Sequence, residues 1–336
     1  MARLRVIRGG AFARQARGSQ GGVSLKASPL KGRDLLSIAD LSVAEVNYLI
    51  RLAQAVKRRP GSYRRALAGR SLALIFEKPS LRTRITFELG MEQLGGWAVY
   101  LAPQDIGLGQ REAVRDVACN LSRWCSAIMI RSFAHDTIIE LATHASIPVI
   151  NGLSNRLHPC QALGDYLTLL EKKKRLEGLR VAYVGDGNNV AHSLALGAAK
   201  LGVTLVLATP PGYEPAEDII AVARRDATQT GAHILLLHDP WEAVAGADAV
   251  YTDVWTSMGK EAEADVRRQV FPPYQVNQAL FAAAKPDAMF MHCLPAHRGE
   301  EVTDEVIDSP RAIVYDQAEN RLHIQKAILL ALLSEG

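Results

Sequence analysis

The stretch Phe76-Glu77-Lys78-Pro79-Ser80-Leu81-Arg82-Thr83-Arg84-Ile85-Thr86-Phe87-Glu88 predicts a strand-to-helix turn that organises this chain. The apolar run from Leu72 to Phe76 is typical of a buried strand. Pro79 ends that strand, because proline lacks a backbone N–H and has a fixed φ. Ser80 then occupies the N-cap position of a helix predicted from Arg82 to Leu94.

The same turn has the features of an anion site. A helix N-terminus presents unpaired backbone N–H groups and a partial positive charge, which attract anions. Arg82 and Arg84 add full charges, and Arg82 can bind a phosphate through two parallel hydrogen bonds. Two hydroxyl residues and two arginines within five positions favour a phosphate site. The alternative is an ordinary capped helix with two solvated arginines.

The composition indicates a globular protein with two domains. The chain has 336 residues, of which 48% are hydrophobic and 22% are charged. No apolar run approaches the roughly 18 residues that a membrane helix needs. Four cysteines, none of them in a CxxC pair, predict a reduced compartment, most simply the cytoplasm, and no disulfide framework.

The positive net charge of +4 is confined to one tail. Residues 1–33 contain eight Arg or Lys and no acidic residue, so the remaining chain has 31 basic and 35 acidic residues. A mildly acidic body predicts no nucleic-acid partner. We expect the tail to be disordered. A transit peptide to the mitochondrial matrix is the alternative, but the glycine-rich run 18–22 would break its amphipathic helix.

After the tail, short apolar strands alternate with helical stretches. Ser42 and Glu45 form a capping box that opens the first helix. Repeated βα units with continuous apolar strands predict parallel sheets covered by helices. The predicted strands are Leu72–Phe76, Ala98–Leu101, Ala127–Ile130, Ile147–Ile150, Val181–Val184, Thr204–Ala208, Ile234–Leu237, Ala249–Thr252 and Ala288–Met291.

Nine strands are many for one such sheet, and a charged segment at Glu171–Gly178 offers a natural break. The predicted fold is therefore α/β, with two doubly wound parallel-sheet domains. We expect the first domain at 34–174 and the second at 175–317, with a C-terminal helix, 318–336, that packs back on the first.

Six polar clusters follow predicted strands, where ligands bind in open α/β sheets. These clusters are Ser80–Arg84, Arg131, His158–Gln161, Gly185–Asn189, Asp253–Trp255 and His292–Pro295. Each has a structural alternative: a surface arginine, a helix cap, a plain turn or a buried free cysteine. Six coinciding at one sheet edge favour an active site in a cleft between two facing sheets, with cations on one wall and carboxylates on the other.

No cofactor or metal is predicted. The Gly185–Asn189 turn is not a dinucleotide fingerprint, because Val190 stands where the third glycine would be. The histidines and cysteines lack the spacing of a zinc site.

With these motifs, the chain resembles the aspartate/ornithine carbamoyltransferase family from about Leu30 to its end. Phe76-x-x-x-Ser80-Leu81-Arg82-Thr83-Arg84 is similar to the family's carbamoyl-phosphate signature, and His158-Pro159-Cys160-Gln161 to its second motif. The ornithine branch is indicated by Asp253-Val254-Trp255-Thr256-Ser257-Met258-Gly259 and by His292-Cys293-Leu294-Pro295.

The resemblance implies that carbamoyl phosphate and L-ornithine react to give L-citrulline and phosphate, as in arginine biosynthesis. It also assigns roles to residues. The implied phosphate ligands are Ser80, the Leu81 backbone, Arg82, Thr83 and Arg321. The implied ligands of the carbamoyl group are Arg131, His158, Gln161, Cys293 and the Leu294 carbonyl. The implied ornithine ligands are Asn189, Asp253, Ser257 and the Met258 backbone. Of these residues, Arg131, His158 and Cys293 are the expected catalytic ones.

The sequence departs from the family pattern in two places. Leu81 replaces a common threonine, at a position that contributes mainly its backbone. Members of the family form trimers in which a neighbouring subunit's loop reaches the phosphate, and Gly107 stands at that loop position here. Gln110 or Arg111 is the alternative residue for this contact.

Several alternatives stay open at this point. The attacking amine needs a proton acceptor, either a thiolate-prone Cys293 near Asp253 or the departing phosphate. The acceptor substrate could be putrescine or N-acetylornithine rather than ornithine. A non-catalytic homologue that binds carbamoyl phosphate is the third alternative, supported by Gly107 alone. The direction of flux and assembly beyond a trimer are not predicted.

Overall fold

The computed structural model describes residues 28–257 and 259–335. Residues 1–27 of the predicted tail, together with Met258 and Gly336, lie outside the described residues. The prediction was wrong for the end of the tail, because residues 28–33 are packed against the last helix. Ser28 Oγ donates a hydrogen bond to the Ala331 carbonyl at 2.7 Å, and Leu30 is buried in the core.

Nine strands form two separate sheets in the described part of the chain. The first sheet contains β1 Ser71–Phe76, β2 Trp97–Leu101, β3 Ala127–Arg131 and β4 Val149–Leu153. The second contains β5 Arg180–Val184, β6 Thr204–Ala208, β7 His233–Leu237, β8 Ala249–Thr252 and β9 Met289–His292. All pairings are parallel, so the prediction of two parallel α/β sheets is confirmed.

Each sheet has a point where the chain reverses its direction of winding. The strand order is β2-β1-β3-β4 in the first sheet and β7-β6-β5-β8-β9 in the second. The reversal falls between β1 and β3 in one and between β5 and β8 in the other. Crevices form at such switch points and are the usual ligand sites of doubly wound sheets. Four of the six predicted clusters follow these four strands.

The α-helices cover the sheets. The first sheet is surrounded by α1 Val43–Arg58, α2 Leu81–Gln93, α3 Pro103–Ile106, α4 Val114–Trp124, α5 His135–His144 and α6 Pro159–Lys173. Later helices are α7 Asn189–Leu201, α8 Glu217–Ala227, α9 Pro240–Val244, α10 Ala264–Val270, α11 Gln278–Ala282, α12 Asp304–Ile307 and α13 Val314–Leu333. Short 3₁₀ turns lie at Ile38–Asp40, Pro60–Tyr63, Glu261–Glu263 and Pro272–Tyr274.

Local sequence signals explain where several helices begin. The predicted capping box of α1 is present: Ser42 Oγ accepts a hydrogen bond from Glu45 N at 3.2 Å, and Glu45 accepts one from Ser42 N at 2.7 Å. Ser80 caps α2, and Pro159 begins α6 because the first helical turn needs no backbone donor there. These caps place the start of α2 and α6 at the carboxyl edge of the first sheet.

One hydrophobic core joins the two halves. It runs from β1 and the helices α1 and α6 to α7, β5 and α13. Helix α13 follows the second sheet in sequence but packs on α1, α2 and α6. All strands of the first sheet precede residue 174 and those of the second lie within 175–317, whereas the exact domain limits stay a prediction. Within the described residues, no helix is long and apolar enough to cross a membrane.

Candidate active site

The turn after β1 forms one wall of a cleft. Ser80 Oγ accepts a hydrogen bond from Thr83 N at 3.3 Å, which uses one of the unpaired amides at the start of α2. The Leu81 side chain is 75% exposed, so this residue can offer only its backbone to the cleft. The Thr83 hydroxyl is buried and accepts a hydrogen bond from Arg321 Nη2 at 2.9 Å.

Arg84 does not join this wall, contrary to the initial interpretation of the turn. Its side chain is exposed, pairs with Glu88 at 2.9 Å and lies 3.6 Å from the centre of the Tyr100 ring. The reason is helical geometry, since residues two positions apart point to different faces. The anion site therefore has one arginine from this turn, Arg82.

Arg131 and Arg321 supply two more guanidinium groups close to Arg82. Arg131 ends β3 and Arg321 lies on α13, and both side chains are buried. Burial, together with the positive charges of Arg321 and Arg82, lowers the pKa of Arg131 to about 10. Burial likewise lowers the pKa of Arg321, with a contribution from Arg82. Because the three cations repel one another, the binding of a dianion between them is strongly favoured.

Unsatisfied polar atoms point to the same place. The buried Nε atoms of Arg131 and Arg321 and the Nδ1 atom of His158 have no hydrogen-bond partner among the described residues. Buried polar atoms are normally bonded to protein, water or ligand. The three atoms therefore mark a space that a polar ligand is expected to fill.

His158 lies at the junction of the two halves. It precedes α6, and its backbone N–H donates a hydrogen bond to Ser193 Oγ of α7 at 2.7 Å. Burial lowers the pKa of the imidazole well below its ordinary value, and the charges of Arg321, Arg131 and Arg82 add to the effect. His158 is thus neutral at physiological pH and can donate a hydrogen bond without adding a fourth positive charge.

Gln161 follows His158 by about one helical turn. Its Nε2 donates a hydrogen bond to Asp165 Oδ1 at 2.8 Å, and its Oε1 accepts one from Arg321 Nη1. The side chain is 1% exposed. The first half therefore presents His158, Gln161 and the three arginines as one connected group.

The facing wall comes from the second sheet. Asp253 follows β8, and its Oδ2 accepts a hydrogen bond from Asn188 Nδ2 at 2.8 Å. Its Oδ1 accepts a hydrogen bond from the thiol of Cys293 at 3.0 Å. The carboxylate–thiol pair lies near the cationic wall, since Asp253 is close enough to favour the charged form of Arg82.

The surroundings of Cys293 disfavour a thiolate. Burial raises the pKa of the thiol well above its ordinary value, and the negative charge of Asp253 raises it further. The thiol also needs its proton to donate to Asp253. Of the two proton acceptors that the sequence leaves open, this arrangement therefore favours the departing phosphate, because an adjacent carboxylate disfavours a second negative charge.

The segment after β9 is held by a buried histidine. His292 Nδ1 accepts a hydrogen bond from Leu294 N at 2.8 Å, and Nε2 lies 3.1 Å from Glu301 Oε1. Leu294 has φ 59°, a conformation that is unusual for a branched residue. Such strained positions cluster at functional sites, which supports a fixed direction for the Leu294 carbonyl.

The remaining predicted ligands lie around the same edge. Asn189 begins α7, and its Nδ2 donates to the Ser154 carbonyl at 2.5 Å, so it links the halves. Ser257 is half-buried, and its carbonyl accepts a hydrogen bond from Lys260 N at 3.0 Å. Met258 lies outside the described residues. Gly259 faces the first half, since a Cβ on it would lie 3.4 Å from the Phe133 ring.

A separate cleft of about 280 Å³ opens between the two halves, and none of the predicted ligand residues lines it. Its lining combines residues that follow β3 and β4 with one residue of α7. These residues are Ala134, His135, Asp136, Asn155, Arg156 and His192. Arg156 forms an ion pair with Asp218 of α8, so the cleft is bridged by opposite charges.

Sequence reasoning missed three residues that hold the site together. Arg267 of α10 is 2% exposed, pairs with Asp186 at 3.0 Å and donates to the Trp255 carbonyl at 2.6 Å. Asp165 and Gln317 are buried beside Gln161. In the sequence, these three polar residues look like solvent-exposed positions on helices, because only long-range packing buries them.

Two groups of described side chains place possible metal ligands within 4.8 Å of one another: Asp253, His292 and Cys293, and His297, Glu300 and Glu301. In the first group, both nitrogens of His292 already bond to protein atoms. Neither group therefore changes the prediction that the protein needs no metal, which stays a prediction.

Comparisons with known proteins agree with this arrangement. Residues 33–171 match the family model described as the carbamoyl-phosphate-binding domain of aspartate/ornithine carbamoyltransferase, and residues 177–332 match its Asp/Orn-binding domain. The ornithine carbamoyltransferase of Thermococcus kodakarensis is 54% identical over 90% of this chain and 97% of its own. A relative from Pyrococcus furiosus, named as the anabolic ornithine carbamoyltransferase, is also 54% identical, over 90% of this chain and 97% of its own.

Solved structures give the same result. An ornithine carbamoyltransferase from Pyrococcus furiosus superposes with a TM-score of 0.88 at 54% identity and covers 90% of this chain and 98% of that one. A mitochondrial ornithine carbamoyltransferase from Coccidioides immitis gives a TM-score of 0.80 at 37% identity, with 90% and 98% covered.

Two parallel α/β sheets, one followed by a group of arginines and the other by a carboxylate–thiol pair, match the two domains of a carbamoyltransferase. The chain belongs to the aspartate/ornithine carbamoyltransferase family. The resemblance seen in the sequence motifs is confirmed.

Proposed function

We propose that this protein transfers the carbamoyl group of carbamoyl phosphate to the δ-amine of L-ornithine, giving L-citrulline and phosphate for arginine biosynthesis. The observation that supports this best is the meeting of three guanidinium groups, of which those of Arg131 and Arg321 are buried and that of Arg82 is half-buried, with the Asp253–Cys293 pair. A phosphate-bearing acyl donor suits the first group, and an amino acid suits the second.

The proposed phosphate ligands are Ser80, the Leu81 backbone, Arg82, Thr83 and Arg321. Their support is the position of the first four at the start of α2 and the bond between Thr83 and Arg321. Binding of the phosphate offsets the repulsion among the three guanidinium groups. The leaving group is thus stabilised by charges that are already in place.

Arg131 and His158 are proposed to polarise the carbamoyl carbonyl. The amine of ornithine attacks the carbonyl carbon, and an oxyanion develops as the C–N bond forms. The C–O bond to phosphate then breaks. Arg131 offers charge and the neutral His158 offers an N–H, so the oxyanion meets preorganised donors. Gln161 is proposed to accept a hydrogen bond from the carbamoyl NH₂.

The amino-acid end of ornithine is assigned to the second half. Asn189, Asp253, Ser257 and the Met258 backbone are its proposed ligands. The Asp253 carboxylate suits an α-ammonium group, and the amide of Asn189 and the hydroxyl of Ser257 can donate to an α-carboxylate, which putrescine lacks; together they favour a free α-amino acid such as ornithine. N-acetylornithine lacks the charged α-amino group that Asp253 would pair with.

The departing phosphate is proposed to take the proton of the amine, because the Cys293 thiol is neutral and already donates to Asp253. Cys293 and the Leu294 carbonyl then orient the attacking amine and the carbamoyl nitrogen. Neither a covalent carbamoyl-cysteine nor a cofactor is part of this mechanism.

One assay tests the activity and its alternatives. The carbamoylated product, which is citrulline for ornithine, is measured from carbamoyl phosphate with ornithine, putrescine and N-acetylornithine in parallel. We expect turnover with ornithine at least a hundredfold above the other two. Turnover with another amine would change the substrate, and turnover with none would favour a homologue that only binds carbamoyl phosphate.

The protein is also proposed to be a cytoplasmic homotrimer, or a multiple of one. The free thiols of all four cysteines support a reducing compartment. The loop proposed to reach a neighbouring phosphate site turns at Gly107, whose φ is 58°. A Cβ there would lie 2.8 Å from Arg111 Cβ, which explains the glycine, while Gln110 and Arg111 are exposed and able to reach outward.

Mixing two inactive variants tests the trimer contact. One carries Gln110→Ala with Arg111→Ala, and the other carries Arg131→Met. If the loop acts on the neighbouring subunit, unfolding and refolding the two together restores activity that neither shows alone. No recovery in verified mixed trimers would contradict the contact, and a monomer in sedimentation would contradict the assembly.

A further inference from the structure

Asp165 is a buried carboxylate to which the proposed mechanism assigns no role. It lies on α6 with 0% exposure and accepts three hydrogen bonds. Gln161 Nε2 donates to Oδ1 at 2.8 Å, Gln317 Nε2 donates to Oδ1 at 2.9 Å, and Tyr251 OH donates to Oδ2 at 3.0 Å. The three donors come from α6, α13 and β8, so one side chain ties together elements from both halves.

The amide of Gln161 lies between two groups of opposite hydrogen-bonding character. An ionised carboxylate only accepts hydrogen bonds, and a guanidinium only donates them. Asp165 therefore selects the NH₂ end of the amide, and Arg321 selects the oxygen end. The amide can satisfy both neighbours in one orientation, and in that orientation its oxygen lies on the side of the anion site.

The orientation of the Gln317 amide is fixed in the same way. Its Nε2 donates to Asp165, while its Oε1 accepts a hydrogen bond from the backbone of His292 at 3.0 Å. His292 immediately precedes Cys293 and Leu294. Asp165 thus orients two amides, one beside the proposed carbamoyl site and one beneath the segment that carries the thiol.

We propose that Asp165 is a positioning residue that fixes the Gln161 amide so that its oxygen accepts a hydrogen bond from the carbamoyl NH₂, and thereby sets the preference for a carbamoyl over an acetyl donor. This inference rests on the proposed function. Carbamoyl phosphate and acetyl phosphate have nearly the same shape, and they differ in an NH₂ group against a methyl group. An amide oxygen at this point can accept a hydrogen bond from the NH₂ group of carbamoyl phosphate, whereas the methyl group of acetyl phosphate cannot donate one.

Asp165 must be ionised to select the NH₂ end. Burial raises its pKa to about 6, although the hydrogen bonds from Gln317, Gln161 and Tyr251 and the charge of Arg321 oppose the rise. Burial, together with the charge of Asp165, raises the pKa values of Tyr166, Tyr251 and Cys293, which therefore stay neutral, and the same charge favours the charged form of Arg321. At pH 8 the carboxylate is therefore an acceptor only, and the binding experiments belong at that pH.

The test compares three ligands on Asp165→Leu. Leucine has the same branching but accepts no hydrogen bond, so the Gln161 amide loses the neighbour that selects its NH₂ end and is held only by Arg321. Calorimetry with carbamoyl phosphate, acetyl phosphate and inorganic phosphate is expected to show at least a tenfold higher Kd for the first and less than a twofold change for the other two. A parallel loss for all three, or no change for any, would overturn the proposal.

A charge-conserving swap, Gln161→Glu with Asp165→Asn, supplies the rescue. The new carboxylate at position 161 presents an acceptor oxygen to the ligand whichever way it turns, and the new amide at position 165 can donate to its other oxygen. We expect the swap to recover most of the preference for carbamoyl phosphate. A folded swap that binds carbamoyl and acetyl phosphate equally would contradict the proposal, even if the single variant failed to fold.

Asp226→Leu is the matched control. Asp226 is a buried carboxylate of α8 whose partners are Lys200 and Arg225, so its loss tests general destabilisation. All three Kd values should stay within twofold of the wild type. Because these measurements need no amine, they separate the proposal from the proposed function, which fails only if the wild type forms no citrulline.

Discussion

The thiol of Cys293 donates a hydrogen bond to Asp253 across 3.0 Å, although the two residues are 40 positions apart in the chain. Adjacent parallel strands, β8 and β9, carry the two side chains to the same edge of the second sheet. The bond keeps the thiol protonated and leaves the second oxygen of Asp253 to Asn188. Cys293 is therefore a hydrogen-bond donor to the Asp253 carboxylate, and its role toward the substrates stays a proposal.

Cys293→Ala is expected to lower kcat by about 10- to 100-fold, the range typical when a reacting group is misplaced by about 1 Å. The Kd for inorganic phosphate should hardly change, because the thiol is not among the proposed phosphate ligands. Steady-state kinetics and calorimetry measure the two quantities. Cys293→Ser retains a donor and should lose less. An unchanged kcat in Cys293→Ala would exclude the role.

Arg131→Met is expected to stabilise the ligand-free protein while abolishing activity. The substitution removes a buried charge that is repelled by two neighbouring arginines, and replacing such a charge by an apolar side chain commonly gains about 1–2 kcal/mol. Urea unfolding without phosphate measures the gain. As a control, the exposed Arg84→Met should change stability by less than about 0.5–1 kcal/mol. A large loss of stability in Arg131→Met would show that the charge is compensated.

His158 predicts a pH dependence of stability. Its folded-state pKa lies well below the unfolded value near 6.5, so the unfolded chain binds a proton that the folded protein does not. Its contribution is therefore complete above pH 6.5 and is lost as the pH falls below that value. His158→Asn should be less acid-sensitive than the wild type, by up to about 1.4 kcal/mol per pH unit. Equal slopes between pH 6.5 and 5 would contradict the neutral assignment.

Gly259→Ala tests how closely the segment that carries Ser257 and Gly259 approaches the first half. Gly259 has φ 94°, and an added Cβ would lie 3.4 Å from the Phe133 ring. We expect about a tenfold higher KM for ornithine, from crowding at that contact.

Gly246→Ala is the control for the glycine test, because it has φ 67° but nothing within 4 Å of the new atom. It should lower stability by about 1 kcal/mol without changing the KM for ornithine. Equal KM changes in the two variants would mean that backbone strain alone is responsible.

Structural features that depend on residues close together in the sequence were predictable. Every predicted strand is present, and the six clusters do follow strands, because apolar runs and turn residues are local signals. The family motifs also identified residues that are distant in sequence but close in the structure, such as Arg131, His158 and Asp253. Their roles toward substrate stay proposals.

The failures have physical reasons as well. Arg84 was included in the anion site on sequence proximity to Arg82, but helix rotation points it toward Glu88. Cys293 was one of two candidate proton acceptors, and burial beside Asp253 disfavours its thiolate by raising the pKa of the thiol. Asp165 and Arg267 gave no signal, because a charged residue in a helix is usually solvated and only the folded packing buries these two.

Helix α13 also imposes an order on synthesis. Thr83 and Arg321 are hydrogen-bonded but 238 residues apart, so the turn at the start of α2 lacks its contact with Arg321 until the ribosome has translated that whole distance. At about 5–20 residues per second, the delay is on the order of 10–50 seconds. The nascent first half is thus expected to reach its fold in the absence of Arg321, and a stalled chain that stops before α13 lacks one of the arginines of the proposed phosphate site.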